Sequence, residues 1–180
     1  MASLVLSGCG ALPHDGAPAQ GYVFGSGEPL RVAVLDETGR AEWSGAVNDA
    51  MAAYQAAAPL LQFQRQATGA HIVVTVRRYR DDDPPALEGY RFQSGVGGFA
   101  AVYDAEGRAC NFPPSPLPMH CSGEIARAGI YLNDIIPPGD DIEERRLRLV
   151  LHELGHALGL TRHSADLGIP QLAQRYGWPE

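Results

Sequence analysis

Two histidines four residues apart, His152 and His156, flank Glu153 in the stretch Leu149 to Ser164, LVLHELGHALGLTRHS. On an α-helix, residues four apart share a face, about 6 Å apart along the axis, so both imidazoles can reach one metal ion with Glu153 beside them. Neutral imidazoles suit Zn²⁺, and catalytic zinc takes three protein ligands while the fourth position stays open for water. Glu153 then has the place of a base, and the chemistry is metal-assisted hydrolysis.

The helix that must carry these groups is legible upstream. Asp140 can cap it with Glu143 three residues on, and Asp141, Glu143 and Glu144 favour its N-terminal end. Ile142, Leu147, Val150, Leu151, Leu154 and Leu158 supply an apolar stripe. Gly159 can take the left-handed conformation that stops a helix and turns the chain back. A residue just beyond can then reach the same metal, and His163 is the candidate, with Asp166 as the alternative.

His152-Glu153-x-x-His156-x-x-Gly159 resembles the zinc motif of the metzincin endopeptidases, and His163-Ser164-x-Asp166 resembles the continuation found in matrixins. The family places its third histidine three positions after the glycine, which here is Arg162, so His163 stands one position late. The family's methionine turn is missing or altered, because Met1, Met51 and Met119 all precede the motif and its usual position falls near Gln171. The resemblance implies an α+β, zincin-like fold: a twisted, mostly parallel sheet with an antiparallel edge strand, two main helices and a short C-terminal helix. It also implies one Zn²⁺ held by His152, His156 and His163, with Glu153 as the catalytic base.

Earlier segments agree with that layout. Leu30 to Leu35 reads as a strand, Asp36 to Gly39 as a turn, and Ser44 can cap a helix running to about Ala58, with Val47, Met51 and Tyr54 on one face. Leu61 to Arg65 is extended, and the β-branched run from His71 to Val76 reads as a central strand. Pro59-Leu60-Leu61-Gln62-Phe63 and Ala70-His71-Ile72 resemble matrixin segments, with His71 in place of an aspartate and in a structural role. Asp81 to Asp83 reads as a solvated turn rather than a calcium loop, since no alternating oxygen ligands surround it. Gly129 to Asn133 reads as the last strand, and Pro170 to Tyr176 fits a short terminal helix.

The glycine-flanked strand within 95–104 corresponds, by the resemblance, to the edge strand above the metal. Gly98, Phe99, Ala100 and Ala101 are then the substrate-binding positions, pairing with an extended peptide through the backbone. An ordinary buried strand is the alternative.

Three cysteines bear on compartment. Leu6-Ser7-Gly8-Cys9 looks like a bacterial lipobox with Cys9 as the lipidated residue, and the basic segment and longer apolar core of such a signal would lie upstream of Met1. Cys110 and Cys121 then remain as a disulfide pair flanking a proline-rich loop, with a second metal site including His120 as the alternative. The domain plan is a partial lipoprotein signal over 1–9, a Gly/Pro-rich tether over 10–28 and a catalytic domain over 29–180.

The 180 residues, 45% of them hydrophobic, suffice for one core, and a net charge of -7 argues against a nucleic-acid surface. The expectation is an exported zinc-dependent endopeptidase, either a cell-envelope lipoprotein or secreted. It is a monomer acting on peptide or protein substrates, touching membrane only through a lipid at Cys9. The alternatives are a cell-surface binding domain without turnover and a zinc exopeptidase of small peptides.

Overall fold

A computed structural model describes residues 23–24, 28–80, 83, 92, 97–107, 124–136 and 139–159. The expected lipobox at Cys9, most of the tether, the Cys110 and Cys121 pair, His163, Asp166 and the short C-terminal helix lie outside the described residues.

The β-branched run forms β4 (Ile72–Arg77), flanked in parallel by β2 (Leu30–Asp36) and β7 (Arg127–Asn133). β3 (Phe63–Arg65) adds in parallel outside β2, and β5 (Gly98–Tyr103) adds antiparallel outside β7. The sheet order is β3-β2-β4-β7-β5, a mostly parallel five-stranded sheet with an antiparallel edge strand. A separate parallel pair joins β1 (Val23–Phe24) to β6 (Glu124–Ile125).

Strand alternation sends one set of side chains to the helical side. Val32, Ile72, Val74, Val76, Ile130 and Leu132 meet α1 (Ala41–Ala57) and α2 (Ile142–Ala157) in one hydrophobic core. The helices also pack on each other, and α2 lies against β5 and β7. Parallel strands with apolar cover on this face satisfy both backbone and burial, which makes the architecture α+β as expected.

Two helix starts differ from expectation. The first helix begins at Ala41, and its N-cap Arg40 makes no side-chain capping bond, so Ser44 lies inside it. A tertiary contact outweighs the local signal: Trp43 is fully buried and donates its indole N–H to Asp134 Oδ1 at 3.0 Å. The second helix has Asp141, not Asp140, as its N-cap, and the Asp141 carboxylate accepts from Arg145 Nε at 2.8 Å instead of from the backbone.

Candidate active site

The site is built on the last two turns of α2. Val150, Leu151 and Leu154 are buried among the core residues, which fixes the helix's rotation about its own axis. That rotation leaves His152 and His156 half-buried on one side. Their Nε2 atoms lie 3.1 Å apart, with the rings edge to face at 4.6 Å between centroids. Tyr54 on α1 donates its hydroxyl to the carbonyl of Leu151 at 3.0 Å, tying the two helices together at the residue before His152.

Glu153 packs against the sheet at Gly98, and only 2% of its surface is exposed. Its Oε2 is buried with no hydrogen-bond partner among the described residues. Burial raises its carboxyl pKa to about 8, because desolvation penalises the charged form. An unpaired buried carboxyl oxygen is costly to a fold.

The helix ends as the glycine predicts. Gly159 has φ +93° and donates its N–H to the carbonyl of His156 at 3.0 Å, so the chain leaves the helix immediately after the second imidazole. The path beyond it, with both candidates for the third ligand, is outside the described residues.

Two tests bear on whether these residues suit a metal. Nitrogens held at zinc-ligand distance in tetrahedral geometry lie about 3.3 Å apart, close to the spacing of the imidazole pair. The donor chemistry agrees, since two imidazoles are a common part of zinc sites. Among the described residues no three His, Cys, Asp or Glu side chains are grouped to hold a metal ion.

β5 lies next to this helix and, among the described residues, is the outermost strand on that side of the sheet. Gly98, Phe99, Ala100 and Ala101 are all buried, and Phe99 stacks on Tyr131 at 4.7 Å. His71 belongs to a different region: its Nδ1 accepts the Arg31 backbone N–H at 3.2 Å, and its Nε2 lies 2.8 Å from Arg31 Nη2. Desolvation, then the Arg31 charge, push its pKa below the ordinary value, so the structural role expected of it fits its surroundings.

Three contacts of the site helix were not anticipated from sequence. Arg146 is buried against the Trp43 ring, 5.5 Å from its centroid, where an apolar residue is the usual occupant. Tyr54 reads as a core aromatic, and only the fold reveals its hydroxyl bond. The consecutive glycines Gly97 and Gly98 face Leu149 and Glu153 of α2, a close approach for which paired glycines are a sequence signal.

No protein-family model matches this chain, and no curated protein matches it. Among solved structures, myroilysin is similar at 16% sequence identity with a TM-score of 0.43. The match covers 88% of this chain, which spans 66% of the length of that one.

Proposed function

We propose that this chain is a zinc-dependent endopeptidase of metzincin-like type. The observation that carries the proposal is the imidazole pair, His152 Nε2 and His156 Nε2 at 3.1 Å, next to a buried carboxyl at Glu153 whose Oε2 is unpaired among the described residues. His152 and His156 would hold the ion, with His163 as the third ligand. When bound, zinc supplies a Lewis acid for the scissile carbonyl and lowers the pKa of a water.

The remaining steps belong to the chain's own groups. Glu153 takes the proton of the attacking water at a carboxylate oxygen and returns it to the leaving amine nitrogen. An extended peptide is assigned to the backbone of Gly98, Phe99, Ala100 and Ala101, because β5 begins against Glu153.

The same proposal places the protein outside the cytoplasm as a monomer, anchored through Cys9 or secreted, with Cys110 and Cys121 joined as a disulfide. It gives the chain peptide or protein substrates and no nucleic-acid partner.

The test is zinc per chain for the wild type, His163→Ala and Asp166→Ala, with the fragments released from casein measured in parallel. The proposal expects zinc and internal cleavage in the wild type and Asp166→Ala, and loss of both in His163→Ala. A wild type that binds zinc and cuts nothing would favour a binding domain, and release of single terminal residues would favour an exopeptidase.

A further inference from the structure

The chain enters β5 against the site helix through two glycines, Gly97 and Gly98, that face different neighbours. A Cβ on Gly97 would meet Leu149 first, at 3.2 and 3.3 Å from its methyl carbons. A Cβ on Gly98 would meet Leu132 Cδ2 at 3.0 Å, Glu153 Cγ at 3.1 Å and the Tyr131 carbonyl oxygen at 3.1 Å. We propose that Gly98 is the positioning residue for the Glu153 carboxyl, its missing side chain being the space that the stem of Glu153 needs. The inference rests on Glu153 being the base of the proposed reaction.

The surroundings decide which neighbour gives way to an added methyl. The Tyr131 carbonyl belongs to β7, which is paired with β5 in the register Gly98 with Leu132 and Phe99 with Tyr131. The start of β5 is held further by Asn133, whose N–H donates to the Gly97 carbonyl at 2.7 Å. Leu132 is fully buried and enclosed by the core. Of the three, Glu153 is the one on a separate helix, its Cγ is 3.1 Å away, and no hydrogen bond among the described residues holds its Oε2. A push at its Cγ is passed to the carboxyl at the end of the stem, and base catalysis depends on that carboxyl meeting its proton partner at hydrogen-bond distance.

This role differs from the substrate contact expected of Gly98. A residue that only borders the substrate alters KM when enlarged, whereas one that sets the base alters kcat.

The experiment is a double-mutant cycle in thermal unfolding, with Gly98→Ala and Gly97→Ala each made in the wild type and in Glu153→Ala. The expected result is that Glu153→Ala recovers about half or more of the Tm lost to Gly98→Ala and none of that lost to Gly97→Ala. In casein cleavage, Gly98→Ala should lower kcat roughly tenfold or more with KM within about twofold and zinc per chain unchanged. Equal Tm losses in both backgrounds, or a raised KM at unchanged kcat, would overturn the inference. Should Gly98→Ala fail to fold alone, recovery of folding in Glu153→Ala supports it and failure in both backgrounds refutes it. The unfolding cycle needs no turnover, so an inactive wild type would remove the peptidase proposal and leave the steric result to stand separately.

Discussion

The Tyr54 hydroxyl donates to the carbonyl of Leu151 at 3.0 Å, joining α1 to α2 one residue before the first imidazole of the candidate site. Tyr54→Phe keeps the ring and deletes that bond, so it should cost about 1 kcal/mol of stability. Urea unfolding checks this, with a lower midpoint at unchanged m. An unaltered midpoint would mean that the bond contributes nothing to the helix pairing.

Stability should also fall on the alkaline side through the buried phenols. Burial raises Tyr79 and Tyr103 from the ordinary value of 10.0 to about 12, and moves Tyr54 in the same direction. The folded chain therefore keeps protons that the unfolded chain releases. Their contribution is complete below pH 10.0 and is lost as the pH rises towards about 12. Urea midpoints should fall until Glu153 ionises at about pH 8, level off, and decline again above the unfolded phenol value of 10.0, and Tyr79→Phe should make that last decline shallower. A Tyr79→Phe profile that falls as steeply as the wild type's would remove Tyr79 from the account.

Zinc should stabilise the folded chain by mass action, by about 2.7 kcal/mol when the free ion stands at about one hundred times its dissociation constant. Chelation should accordingly lower the Tm of the wild type and leave that of His152→Ala unchanged. Equal responses to chelator in the two proteins would show that the imidazole pair is not where the metal acts.

The strands and the site helix were legible because their signals are local. Ile72 to Val76 is a β-branched run, the apolar stripe of α2 recurs at helical spacing, and Gly159 adopts the positive φ that ends the helix. The start of α1 was misjudged because Trp43 is placed by Asp134, ninety-one positions along the chain, and no window around Ser44 contains that partner. The helical spacing of His152 and His156 foretold their shared face. It gave no sign that Glu153 would pack against the sheet, since that depends on β5 arriving with glycine at position 98. Arg146 shows the same limit: its charge marks a solvated position in sequence, while Trp43 gives its stem and guanidinium a buried place.

The most direct measurement is casein cleavage by Glu153→Gln with zinc per chain determined on the same sample. The variant keeps the shape of the side chain and both imidazoles and loses only the ability to accept and return the proton. The account predicts parental zinc content with turnover reduced by a factor of about 100 or more. Cleavage at the parental rate with zinc in place would contradict it.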